Sequence, residues 1–210
     1  MSEIKSLYLH GLGRAELRRG ERVLLAHHRR SGIDAIPGQI DWASPEKFVD
    51  LLDRTTYHAL SILDGMSPEG TLIIEGSSAG GSLAFNVAHQ IEDERLRVIS
   101  HSGRLAVGDY EEGSYRSLEH CARLGTDEES QSYFDSVTYL ELITKPKMDQ
   151  NDMDRSFITM PLGDMRVPTS TMSINGIKTA IMPIVGHSPG IGLGMLWTPK
   201  IIEKDFGNLG

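Results

Sequence analysis

Residues 70–91 read GTLIIEGSSAGGSLAFNVAHQI, and the chain changes its period in the middle of them. Thr71 to Glu75 is a short β-rich run between Gly70 and Gly76, whereas Ala79 to Ile91 places Leu83, Val87 and Ile91 at helical spacing. Between the two lies Gly76-Ser77-Ser78-Ala79-Gly80, a G-x-S-x-G pattern centred on Ser78. So short a pattern of small residues is weak by itself. Its setting strengthens it, because a strand that passes at once into a helix makes the sharp turn that exposes a nucleophilic serine hydroxyl. Gly76 and Gly80 fit that turn physically, since a side chain at either place would obstruct the bend or the close packing of helix on sheet. Ser77, Gly81 and Ser82 are small for the same reason.

Working outward, the same alternation recurs. Lys5 to Leu9 reads as a strand running into His10-Gly11-Leu12-Gly13, whose glycines permit a tight turn and close approach of backbone to a ligand. Glu21 to Arg30 carries Val23, Leu24, Leu25 and His28 at helical spacing, Gly32 stops it, and Ile33 to Ile36 is a second strand before Pro37. Ser44-Pro45 caps a long helix whose apolar face is Phe48, Leu51, Leu52, Leu60 and Leu63. Downstream, Leu96 to Ser100 is a strand, and Phe157 to Met160 and Lys178 to Val185 resume the rhythm. Met195 to Lys204 is expected as a last helix, interrupted by Pro199. These units predict an α/β fold over residues 1–210: a mostly parallel β-sheet covered by helices on both faces. Residues 105–155 break the pattern. They hold no convincing strand and two helical stretches, Ser117 to Leu124 and Glu128 to Thr144, so they are expected as a helical insertion or lid within the single domain.

Composition narrows the function classes. A chain of 210 residues can bury one good core and is short for two domains. With 29 acidic side chains against 21 Lys plus Arg, its formal charge of -8 gives no footprint for nucleic acid. Cys121, the only cysteine, can form neither an internal disulfide nor a thiolate metal cluster. The start lacks the apolar region of a secretion signal, and no window offers a membrane span, so a cytoplasmic protein is expected. Self-association is compatible with the sequence, but no residue identifies an interface.

A serine attacks only when a base takes its proton. His187 is the candidate, in Val185-Gly186-His187-Ser188-Pro189-Gly190, read as a loop directly after the last apolar strand. Asp164, in Leu162-Gly163-Asp164-Met165-Arg166, follows another strand and is the candidate to orient that imidazole. Pairing of Asp164 with Arg166 in a surface turn is the competing reading, and Asp109 is the alternative acid. Asp34 and Glu75 fit less well because they stand at or inside strands. His101 is either a satisfied structural histidine or a competing base at the cleft. His27-His28 and His120-Cys121 lack the partners of a metal site. Gly11-x-Gly13 lacks the third glycine of a dinucleotide turn, and residues 76–80 lack a phosphate-gripping lysine.

The order Ser78, Asp164, His187 with the early HGLG turn resembles the α/β-hydrolase fold over nearly the whole chain, Lys5 to Lys204. So few residues precede Leu7 that the resemblance implies a reduced sheet lacking the family's initial strands. It further implies an oxyanion hole built from the backbone N–H groups of Ala79 and Leu12, with His10, Gly11 and Gly13 shaping the loop. An insertion after the Leu96 to Ser100 strand is where related folds place a substrate cover, so Tyr110, Tyr115, Phe134, Tyr139 and Met148, with His101, are candidate lining residues. The implied activity is hydrolysis of a small-molecule acyl substrate, most generically a carboxylic ester, through an acyl-enzyme and without metal or organic cofactor. Amide, peptide, thioester and carbon–carbon bond hydrolysis stay open, as does a noncatalytic binding protein on the same scaffold.

Overall fold

A computed structural model describes residues 3–11, 17–40, 48–103, 150–163 and 176–206. Its six strands are β1 (Ile4–Leu9), β2 (Asp34–Pro37), β3 (Thr71–Ser77), β4 (Leu96–His101), β5 (Ser156–Leu162) and β6 (Lys178–Val185). They form one sheet in the order β2-β1-β3-β4-β5-β6, and every neighbouring pair is parallel. The helices are α1 (Arg19–Arg30), α2 (Phe48–Asp64), α3 (Ala79–His89), the short α4 (Gln150–Asp154) and α5 (His187–Ile201), which runs into a π-helical turn at Ile202–Phe206.

Helices cover both faces, so the central strands are buried on both sides and read as apolar runs rather than as alternations. All seven residues of β3 are buried. Period two still decides which way each side chain points. Leu7, Leu9, Leu72, Ile74, Val98, Ile158 and Met160 share one core with Leu51, Leu52 and Leu63 of α2 and Leu83 and Val87 of α3. Residues one step out of phase face the other way: Ile73, Ile99 and Phe157 meet Ile201, Ile202 and Phe206, while Tyr8 and Ala35 meet Leu25 of α1 and Met195 of α5.

The chain leaves β1 toward one edge of the sheet and leaves β3 toward the other. The carboxyl ends of β1 and β3 therefore lie side by side at the point where the order reverses, which is where open parallel sheets leave a crevice for ligands. The His10-Gly11 turn follows β1 and the Ser78 turn follows β3. Among the described residues no helix is long and apolar enough to cross a membrane.

The last helix differs from the sequence expectation. It begins at His187, not near Met195, and the stretch read as a loop is its first turn. Gly186, at φ 102°, breaks the strand and caps the helix. Pro189 falls in the first turn, where no N–H is needed. Gly190, Gly192 and Gly194 lower helix propensity and hid the element, yet two of them are required by packing. A Cβ on Gly190 would collide with the Pro161 ring, and one on Gly194 with the Thr159 hydroxyl and the His101 ring. The expected Ser44-Pro45 cap lies outside the described residues, as does the insertion at 105–155 apart from α4 and Arg155.

Candidate active site

Ser78 stands between β3 and α3 with φ 53° and ψ -124°, a backbone conformation that a residue with a side chain rarely adopts. Such strain costs on the order of 1–3 kcal/mol and persists only where the surroundings impose it. Here the Ser78 N–H donates to the His101 carbonyl at 2.9 Å, and the Ser78 carbonyl accepts from the Gly81 N–H at 2.9 Å, starting α3. The flanking glycines leave no room for anything larger. A Cβ on Gly76 would strike the Gly80 carbonyl, and one on Gly80 the carbonyls of Leu9 and His10. These obstacles are backbone, so they cannot swing aside. The turn after β1 is equally close: a Cβ on Gly11 would lie 3.1 Å from Ser78 Cβ and 3.2 Å from the Ser77 carbonyl.

His187 reaches this turn from the first residue of α5, and its Nε2 lies 2.9 Å from Ser78 Oγ. The imidazole is buried while Ser78 is partly open. A pair separated by 109 residues is thus brought to hydrogen-bonding distance where the carboxyl ends of the strands converge. Ala79 is the first residue of α3, so its N–H belongs to the group that a helix leaves without an internal acceptor. Beside it, the His10 ring spans two carbonyls, with Nδ1 3.0 Å from Gly11 O and Nε2 3.0 Å from Ile40 O, which ties the end of β1 to Ile40. Leu12, Gly13, Asp164 and Asp109 lie outside the described residues, as do Tyr110, Tyr115, Phe134, Tyr139 and Met148.

His101 is a correction. Instead of lining the cleft it is wholly buried, because as the last residue of β4 it points to the α1–α5 face, where Glu75 and Thr159 hold its ring. Two further residues bear on the site that the sequence did not reveal. Tyr8, fully buried, donates its hydroxyl to Glu21 at 3.0 Å and shares a 2.8 Å hydrogen bond with Ser77, the neighbour of Ser78. Burial, reinforced by the charge of Glu21, holds its phenol well above the usual range, so it stays a donor. Ser102, just past His101, also has positive φ, 55°, and its N–H donates to the Thr159 carbonyl at 2.8 Å. No signal local to either residue announces this. Among the described residues no group of three or more His, Cys, Asp or Glu side chains is placed to hold a metal ion.

No protein-family model matches the chain, and no curated protein matches its sequence. Solved structures do match. A meta-cleavage product hydrolase from Pseudomonas fluorescens IP01 aligns over 100% of this chain and 92% of its own, at 17% identity and TM-score 0.62. A structure reported with the carboxylesterases of the thaumarchaeon Nitrososphaera gargenis aligns over 99% and 91%, at 14% identity and TM-score 0.61. Carboxyl esterase 2 of the fungus Tuber melanosporum aligns over 99% and 77%, at 14% identity and TM-score 0.65. At such identities the likeness is one of fold, and with the six-stranded parallel sheet it defines the class: this chain has the α/β-hydrolase fold in compact form.

Proposed function

We propose that the chain is a serine hydrolase acting on carboxylic esters, with Ser78 as nucleophile, His187 as general base and Asp164 as the acid that orients the imidazole. The observation that carries this reading is the 2.9 Å contact between Ser78 Oγ and His187 Nε2 at a strained strand-to-helix turn. As Oγ attacks the ester carbonyl, Nε2 takes its proton, and the carbonyl oxygen becomes an oxyanion beside the N–H groups of Ala79 and Leu12. The imidazolium gives that proton to the departing alkoxide, leaving an acyl-Ser78. Water then attacks the acyl carbon and loses its proton to Nε2; collapse returns the proton to Ser78 and frees the acid. Every proton passes through one imidazole, so no metal or organic cofactor enters the scheme. The ester preference draws support from the carboxylesterases among the similar folds.

Hydrolysis of p-nitrophenyl acetate and butyrate by wild type, S78A and H187Q tests the reading, with thioester and anilide analogues in parallel. The expected result is wild-type turnover of the esters that S78A abolishes and H187Q lowers by at least about 10³-fold. Turnover of the anilide alone would move the assignment to amidase. Equal rates in all three proteins would remove Ser78 from the chemistry.

A further inference from the structure

Beneath the Ser78 turn, on the sheet face covered by α1 and α5, lies a carboxylate with no exposed surface. Glu75 Oε1 accepts the Thr198 hydroxyl at 2.7 Å and the His101 Nε2–H at 2.8 Å. Its Oε2 accepts the Ser6 hydroxyl at 3.0 Å and stands 3.4 Å from His28 Nδ1, an electrostatic contact without hydrogen-bond geometry. The outer partners are also occupied. His101 Nδ1 lies 2.8 Å from the Thr159 hydroxyl, and the His28 Nε2–H donates to the Met195 carbonyl at 2.8 Å.

Two awkward features of α5 become intelligible against this cluster. Pro199 has no N–H to offer the carbonyl four residues before it, and that carbonyl is Met195's, the one His28 satisfies. Gly194 lacks the Cβ that would keep α5 away from His101 and Thr159. Apolar residues of similar volume would fill such a place without the desolvation cost of a carboxylate and two imidazoles. A buried carboxylate with both oxygens held by hydrogen bonds fixes geometry instead.

Each arm of the cluster ends at a part of the candidate site. Ser6 belongs to β1, which leads into the His10-Gly11 turn, and Glu75 is itself three residues before Ser78 on β3. His101 supplies the carbonyl that receives the Ser78 N–H. Thr198 and Met195 lie on α5, whose first residue is His187. We infer that Glu75 is a positioning residue, which ties the nucleophile's strand to the base's helix and so sets the distance between Ser78 and His187. This inference rests on the proposed serine chemistry. Glu75 touches no reacting atom and acts through His101 and Thr198.

The test compares wild type with E75Q, T198V and T198S. T198V removes the hydroxyl through which α5 reaches Glu75 and His101 and keeps the side chain's shape; T198S restores the hydroxyl, so the pair carries the test if E75Q does not fold. Two quantities are read well below each protein's Tm: kcat and KM on p-nitrophenyl butyrate, and the ring ¹⁵N signals of His187, assigned with H187Q. A displacement of the base lowers kcat by about tenfold in T198V and about 10²-fold in E75Q, with KM within about twofold of wild type and T198S returning to wild type. Wild-type kcat in folded T198V and E75Q overturns the inference, since a purely structural role lowers Tm alone. If wild type itself turns over no ester, the ester-hydrolase reading fails separately, and the His187 signals decide the positioning. Displaced in T198V and restored in T198S, they support it; unmoved, they overturn it.

Discussion

Acid is the perturbation to which the Glu75 cluster responds with a definite sign. Burial by itself raises a carboxyl, but here the opposing charge of His28 and the hydrogen bonds from His101 and Thr198 outweigh it and hold Glu75 down to about 2, from an ordinary 4.5. The unfolded chain therefore binds the proton first, and the stabilisation is fully present above about pH 4.5 and is lost as pH falls toward 2. The whole shift corresponds to about 3 kcal/mol, at about 1.4 kcal/mol per pKa unit. Between about pH 5.5 and pH 3 the part already lost is about 2 kcal/mol. That window lies below the ordinary range of histidine, so the imidazoles of the unfolded chain stay protonated across it. Urea unfolding of wild type and T198V at the two pH values reads the effect, because T198V keeps the carboxylate and both imidazoles and withdraws one of the hydrogen bonds that hold Glu75 down. Wild-type stability should fall further than that of T198V, by up to about 2 kcal/mol. Parallel losses in the two proteins would show that the Thr198 hydroxyl does not help hold Glu75 as a buried anion, and would refute the electrostatic account of the cluster.

Two other substitutions probe the backbone and the hydroxyl network. G80A should cost about 3 kcal/mol or more in denaturant unfolding, because its Cβ meets the Leu9 and His10 carbonyls, whereas G192A, with nothing within 4 Å, should gain about 0.5–1 kcal/mol. Losses of equal size at both would show that helix propensity, not contact, governs these positions. Y8F removes a buried hydroxyl shared by Glu21 and Ser77 and should lower stability by about 1–3 kcal/mol; an unchanged Tm would mean the hydroxyl is not engaged there.

The core of the fold was legible because residues 70–91 pass once from a short β-rich apolar run to helical spacing, around small residues that only a tight turn requires. Strands β1 to β6 follow from the same signal, with ends displaced by one or two residues where polar side chains such as Ser77, His101 and Ser156 continue the ladder. The start of α5 was not legible. Its glycines satisfy contacts with Pro161, Thr159 and His101, on other strands, and a local pattern carries no trace of those neighbours. The pairing of Ser78 with His187 could be proposed because each sits at a turn after a strand. The cluster below them could not. Glu75 meets Ser6, His101 and Thr198 across 69, 26 and 123 residues, and each of these polar residues alone reads as a flaw in an apolar element. One signal was present in retrospect: a carboxylate inside TLIIEGS, a strand apolar enough to be buried on both faces, must have partners.

The most direct test of the central claim is labelling of the folded protein with a fluorophosphonate probe, followed by peptide mass mapping, in wild type, S78A and H187Q. The account predicts a single adduct on Ser78 in wild type, none in S78A and a much slower one in H187Q. Folded wild-type protein that takes no label, or label that persists unchanged in S78A, would contradict it.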